Sequence, residues 1–520
     1  MWGGRSLSRA AVVVCALALL APATAGADPV ERRDAHLSSF DGTRILTHFF
    51  PAVASRRDDH GEAPTVMLGH GWAGSGELDA QGPVTGVPRA GLGRMGVAEL
   101  LNAGYNVVTW DSRGFGRSDG RAEVDHPAYE GRDAQMIIDW IAEQDEAQLD
   151  GPGDPRLGMA GGSYGGGIQL VTAGLDHRVD AITPTIAWNS LTSALAPDGD
   201  LRAGWTSLLL ASAHSTGAPA PELLQMALGT LASGRVSDRV FTDLAARSPG
   251  DLIGKITAPT LITQGTADTL FTLREGVKNY EILRAAGTPV RMVWFCGGHG
   301  VCQDETGPSG QVERAQMDWL DRWLRDRPDI DTGAGFTWLA DDGVWRDAPA
   351  WPPSPAAPLR AEASGRLSLR MGYTSGSVIA ATPGYGGLRI PIAGASGADT
   401  DVVGAPRLTL RYRGTAWPRR DTHVFAQIVK TRPSGGRQVL GGQVSPVPVY
   451  LDGRERTVSI ALEPIAARVP AGGSLELQLV DSSTLFDAQR TSGALTARVS
   501  VELPTAAGRP VPAGSPAPAG

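Results

Sequence analysis

Apolar residues follow two rhythms along this chain, and the change between them falls near residue 330. Before it, short, mainly apolar runs at 66–68, 107–110, 157–160, 181–186, 261–263 and 292–295 alternate with stretches of helical period. Met136, Ile137, Trp140 and Ile141 share the spacing of one helix face, as do Val312, Ala315, Leu320, Trp323 and Leu324. Mainly apolar runs without polar alternation describe strands covered on both faces, so their alternation with helices predicts a parallel sheet between two helical layers. Residues 30–51 read as two further strands turning at Asp41-Gly42. Residues 201–247 are helical throughout and contain no strand, which predicts an insertion above the sheet, a lid over about 190–250.

Beyond residue 330 the period becomes two. Leu367, Leu369 and Met371, then Leu408, Leu410 and Tyr412, then Val458, Ile460 and Leu462 alternate with polar residues. Leu475, Leu477 and Leu479, and finally Leu495, Ala497, Val499 and Val501, do the same. Such segments, separated by Gly, Pro and Asp-Gly turns, predict a two-sheet sandwich or jelly roll. A proline-rich stretch at 349–358 sits near the join, and residues 504–520 are almost wholly Pro, Ala and Gly. The expected organisation is a leader at 1–27, an α/β unit at 28–330, a β-sandwich at 331–505 and a disordered tail at 506–520. No internal repeat is evident.

Composition narrows the class. Gly and Pro together make one fifth of the 520 residues, below the roughly 25–30% of low-complexity disorder. The net charge is −8, and the only lysines are Lys255, Lys278 and Lys430. The remaining basic residues are scattered arginines, which excludes a nucleic-acid footprint. Residues 1–27 carry Arg5 and Arg9, an apolar stretch at 10–20 and small residues ending at Ala27. This is the form of a secretory signal; a retained anchor would need a longer run than Pro22 permits. The expectation is a secreted protein, extracellular or in the periplasm or cell-wall space, whose mature chain does not insert in a membrane. Cys15 leaves with the leader, so Cys296 and Cys302 remain, six positions apart, as a disulfide candidate in an oxidising compartment.

Gly161-Gly162-Ser163-Tyr164-Gly165 follows an apolar strand and precedes a helix. In that setting G-x-S-x-G forms a tight strand-to-helix turn that pushes the serine hydroxyl outward, at a helix N-terminus that favours developing negative charge. Ser163 is therefore the candidate nucleophile. A hydroxyl attacks poorly until a base takes its proton, and a carboxylate should orient that base. Of nine histidines, His299 lies on a glycine-rich loop after the last apolar run of the α/β unit, and Asp268 follows the run at 261–263. Ser, Asp and His in that chain order, each at a strand end, is the arrangement of α/β-hydrolases. Asp251, ahead of its strand, is the rival acid and reads better as a helix cap. The oxyanion donors should be the amides of Tyr164 and of Trp72, the latter in the loop Gly69-His70-Gly71-Trp72. The loop from Asp111 to Ser118 reads as structural, with charge pairing. Cys296, His299 and Cys302 also have the spacing of three zinc ligands, a reading that would take the base from the triad. No cofactor or metal ion is expected.

The Gly-Gly-Ser-Tyr-Gly-Gly motif around Ser163, the Asp111-Ser-Arg-Gly-Phe-Gly loop, the lid, Asp268, His299 and the junction from Trp345 to Pro352 resemble the X-Pro dipeptidyl-peptidase and cocaine-esterase-like (CocE/NonD) α/β-hydrolases. The resemblance spans most of the chain, including a sandwich like that family's C-terminal jelly roll. It implies a serine hydrolase that cleaves an amide or ester of a peptide or small molecule through an acyl-enzyme. Relatives often supply an oxyanion donor from a tyrosine side chain, where this chain has His70-Gly71-Trp72, and the paired cysteines are no general family feature. A dipeptidyl peptidase would need an acidic group near the pocket to hold the substrate's free amine. The alternatives are an acyl ester hydrolase without peptidase activity and a non-catalytic binding protein on the same scaffold.

Overall fold

The structure, a computed structural model, describes residues 31–80, 95–304, 306–384, 386–395, 397–432 and 435–511; the expected leader lies outside these, as do residues 512–520 of the expected tail. The chain folds as an α/β-hydrolase unit followed by a β-sandwich. The first unit holds β1 (Arg33–Ser38), β2 (Arg44–Phe50), β3 (Thr65–Gly69), β4 (Asn106–Trp110), a small hairpin of β5 (Leu149–Gly151) and β6 (Asp154–Pro155), then β7 (Leu157–Gly162), β8 (Val179–Thr185), β9 (Thr260–Gly265) and β10 (Val290–Phe295). With β11 (Phe336–Leu339), β12 (Trp345–Ala348) and β25 (Arg509–Pro510) these make an eleven-stranded sheet in the order β1-β2-β4-β3-β7-β8-β9-β10-β11-β12-β25, the hairpin excepted. The strands from β4 to β11 run parallel, and both edges are antiparallel.

Helices cover both faces. On one, α2 (Glu130–Ile141) buries Ala134, Ile137, Ile138 and Ile141, one stripe at helical spacing, beside α3 (Tyr164–Leu175) and α8 (Leu273–Ala286). On the other, α1 (Val97–Ala103) and α9 (Gln311–Leu324) pack Leu100, Leu101, Trp319, Leu320 and Leu324 against the sheet. Between β8 and β9 rise α4 (Leu191–Leu195), α5 (Ala203–Thr216), α6 (Pro221–Ser233) and α7 (Asp238–Ala246). Among the described residues, no helix is long and apolar enough to cross a membrane.

The sandwich sets β13 (Leu359–Leu369), β23 (Ser492–Leu503), β16 (Arg407–Trp417) and β20 (Asp452–Ala461) against β14 (Leu388–Ala393), β22 (Ser474–Val480), β17 (Asp421–Thr431) and β18 (Arg437–Val439), with β19 (Ser445–Tyr450) beside β17. Alternate residues such as Leu408, Leu410 and Tyr412 meet Ile390, Ile392, Leu475 and Leu477 in a shared core. A third small sheet joins β21 (Ile465–Val469), β15 (Thr400–Gly404) and β24 (Thr505–Ala506).

Two boundaries differ from expectation. The α/β sheet continues past residue 330 through β11 and β12. Residues 506–511, expected as tail, are tied down: Ala506 pairs with Asp401, Arg509 and Pro510 pair with β12, and the Val511 amide donates to the Trp345 carbonyl at 2.8 Å. Strands of two residues carry no periodicity, and a proline can occupy a sheet edge because no donor is needed there.

Candidate active site

Three strand ends build the site. After β7 the chain turns sharply at Ser163, whose φ of 58° and ψ of −116° lie where a side chain is strained, and α3 starts at the next residue. The turn is locked by the Ser163 amide donating to the Thr185 carbonyl at 2.9 Å. It also needs α3 close against β3: a Cβ on Gly165 would lie 2.2 Å from the Gly69 carbonyl oxygen, so no larger residue fits.

Asp268 follows β9 and His299 follows β10, and the structure brings both to Ser163. His299 Nε2 lies 2.7 Å from Ser163 Oγ, and His299 Nδ1 lies 2.7 Å from Asp268 Oδ2. The tautomer that satisfies both contacts has Nδ1–H donating to the carboxylate and Nε2 accepting from the hydroxyl. Asp268 is fully buried, and its Oδ1 accepts from the amides of Leu270 at 3.0 Å and Phe271 at 2.8 Å. A carboxylate held by its surroundings can orient an imidazole without taking its proton. Asp251, the rival acid, is exposed in the first turn of a short 3₁₀ segment.

Tyr164 is the first residue of α3, where helical amides lack partners within the helix, and Trp72 packs edge-on against it with ring centroids 5.3 Å apart. The neighbouring loops are linked through His70: its Nδ1 donates to the Gly71 carbonyl at 2.8 Å, and its Nε2 accepts from the Ser112 amide at 3.0 Å. Burial lowers the pKa of His70, in keeping with a neutral ring. In the loop after β4, Asp111 accepts from the amides of Gly76 and Arg117, while Arg113 pairs with Asp133 and Asp41.

Cys296 and Cys302 form a disulfide with Cα atoms 5.3 Å apart, closing a ring around His299. The sulfurs are thus joined to each other, which leaves the cysteine–histidine zinc set without its thiolates. Closing so small a loop is expected to stabilise the fold by about 2 kcal/mol on chain-entropy grounds. Thermal unfolding of Cys302→Ser, or of the verified reduced protein, should show a lowered midpoint; an unchanged one would deny the bridge that role.

Several residues that position the site left no trace in sequence. Trp205 of α5 and Phe271 flank the His299 ring edge-on at 5.7 and 5.1 Å. Gln443, from the sandwich, donates through Nε2 to the Asp268 carbonyl at 2.6 Å. Thr269 gathers three contacts, since its hydroxyl accepts from Trp205 Nε1 at 3.0 Å and donates to the Ile379 carbonyl at 2.7 Å, while its own carbonyl accepts from Arg202. Beneath the elbow, the Tyr164 hydroxyl donates to Glu130 at 3.2 Å. Burial pushes Glu130 up to about 7 and, with the charge of Glu130, raises Asp125 well above the carboxylate range. Each of these contacts joins residues far apart in sequence, so no local pattern could announce it.

Residues 41–301, half of the chain, match the family described as X-Pro dipeptidyl-peptidase (S15 family). Two curated Escherichia coli proteins, each described as an uncharacterized 31.7 kDa protein in the traX-finO intergenic region, are 38% and 37% identical over 89 residues. That match is 17% of this chain and spans only 29% of each relative's length. Among solved structures, a CocE/NonD family hydrolase from Staphylococcus aureus aligns at 16% identity and TM-score 0.64 over 91% of this chain and 93% of that one. An aminopeptidase from a marine sediment archaeon, Thaumarchaeota archaeon, aligns at 15% and 0.66 over 92% and 96%. An α-amino acid ester hydrolase aligns at 12% and 0.64 over 93% and 98%. At such identities the structures share the fold alone. The family match, carried by the unit that holds the three strand ends, shows that this chain belongs to the X-Pro dipeptidyl-peptidase (S15) family.

Proposed function

We propose that the protein is an exported serine hydrolase that cleaves a carboxylic ester or amide through an acyl-enzyme on Ser163. The observation that carries this reading is the unbroken line from Asp268 through His299 to Ser163, with both contacts at 2.7 Å. In the first half-reaction Ser163 Oγ bonds to the acyl carbon while its proton passes to His299 Nε2. The imidazolium, held by Asp268, then gives that proton to the leaving alkoxide or amine as its bond to the acyl carbon breaks. In the second half-reaction water repeats the sequence and releases the acid. The Tyr164 and Trp72 amides are assigned to the oxyanion of each tetrahedral intermediate, a role worth roughly 3 kcal/mol per donor. Export rests on the form of residues 1–27, and a disulfide beside the base suits an oxidising compartment.

A fluorophosphonate probe tests the proposal, because it labels only a serine whose hydroxyl is activated. The expected result is stoichiometric labelling of the wild type and none of Ser163→Ala. An unlabelled wild type would favour a binding protein on a hydrolase scaffold, and a labelled variant would move the nucleophile elsewhere.

A further inference from the structure

We infer, resting on the reading that Ser163 carries the acyl group, that the acyl half of the substrate is a neutral aliphatic chain and not the free-amine acyl unit of a dipeptide. A cavity of about 120 Å³ opens on Ser163, and none of the described residues lining it carries a formal charge. Its lid wall is hydrocarbon: Leu209 and Leu210 from α5, Leu223 and Met226 from α6, Val240 and Leu244 from α7. Few polar side-chain atoms reach it. Thr230 Oγ1 is occupied by the Met226 carbonyl at 2.8 Å, and Thr206 Oγ1 is buried without a partner. An ammonium group drawn into this lining would lose its hydration and meet no anion in return. An alkyl chain would lose only unfavourable contact with water.

The carboxyls coupled to Tyr164 do not supply the missing anion. Asp125 and Glu130 do not line the cavity, and the Glu130 contact is to the outer end of the buried Tyr164 side chain. The same burial that hides them favours their neutral forms. On the solvent side of the lid, Leu208, Leu224 and Leu228 are 41%, 36% and 53% exposed. These three leucines stand among exposed polar residues such as Glu222, Gln225 and Arg239, so the apolar lining that carries the inference is the one that faces Ser163. In the reaction, Oγ bonds to the acyl carbon, the ester C–O bond breaks, and the Oγ proton leaves with the alcohol by way of His299; water then frees the fatty acid.

The test uses the full chain and the p-nitrophenyl esters of acetate, butyrate, hexanoate and 2-aminohexanoate, each corrected for spontaneous hydrolysis. Burying each added methylene should raise kcat/KM about fourfold from acetate to hexanoate. The 2-amino ester should fall at least about tenfold below hexanoate, since its ammonium is left unpaired. Met226→Trp, which fills the cavity from α6, should lower the hexanoate-to-acetate ratio. A flat or falling series, an amino ester that matches or exceeds hexanoate, or an unmoved ratio overturns the inference while Ser163-dependent acetate turnover leaves the hydrolase reading intact. Loss of acetate turnover together with fluorophosphonate labelling overturns the hydrolase reading, and the inference with it.

Discussion

Replacing His299 with alanine is expected to lower kcat by about 10⁴- to 10⁶-fold while leaving KM within a few-fold. The asymmetry follows from the role proposed for the imidazole. It contacts Ser163 Oγ at 2.7 Å and helps the reaction only as the proton moves, so its loss falls on the transition state and spares ground-state binding in the apolar cavity. Removing the ring also leaves the Asp268 carboxylate aimed at a void, which adds nothing to the rate. Steady-state kinetics on a p-nitrophenyl ester, with circular dichroism as a check of folding, measure the effect. A variant retaining more than a tenth of wild-type kcat would assign the proton transfer to another group.

The largest effect on stability is expected at Glu463. This sandwich residue is buried, and its Oε1 accepts from Arg202 Nη2 at 3.0 Å while its Oε2 accepts from Thr272 Oγ1 at 2.7 Å and lies 3.5 Å from Arg274. Burial alone would raise its pKa, but the charges of Arg274 and Arg202 outweigh burial and hold it below its ordinary value. Glu463→Gln keeps the shape and removes the charge, leaving the Arg202 guanidinium, 1% exposed, without its counter-ion. Breaking one side of such a pair costs about 3–5 kcal/mol. Urea unfolding should show that loss, and Arg202→Met combined with Glu463→Gln should restore part of it; additive losses would mean the pair is not coupled. The pH dependence has a fixed sign. A depressed carboxyl contributes fully above its unfolded pKa, near 4.5, and that contribution disappears as pH falls through the lower folded value. Wild type should therefore lose stability on acidification below that point more steeply than Glu463→Gln.

Much of the site was legible because each of its three side chains follows an apolar run that declares its own strand, and chain order then selects among candidates. The paired cysteines were legible from spacing. What escaped was whatever depends on packing between distant segments. Strand β17 shows why: Val424, Ala426 and Ile428 face the sandwich core, while Phe425 and Val429 face the lid and the elbow. Covered on both sides, it has no alternation, so the period-two signal that exposes β16 in the facing sheet and its neighbour β22 is absent. Val458 and Ile460 alternate clearly, yet β20 is an edge strand that leaves both only partly buried. Gln443 and Trp205, which contact Asp268 and His299, carry no motif at all.

In the proposed mechanism, the contacts at Thr269 and the Asp268 carbonyl make the sandwich a silent partner. Since Gln443 and Ile379 reach across to the acid loop, the two units cannot drift independently during evolution: a substitution that shifts the sandwich by a fraction of an ångström moves the carboxylate that aims the imidazole. Exchanging this sandwich for that of a distant relative would therefore require re-editing the loop after β9, and libraries meant to alter turnover can reach it from a surface far from any bound substrate.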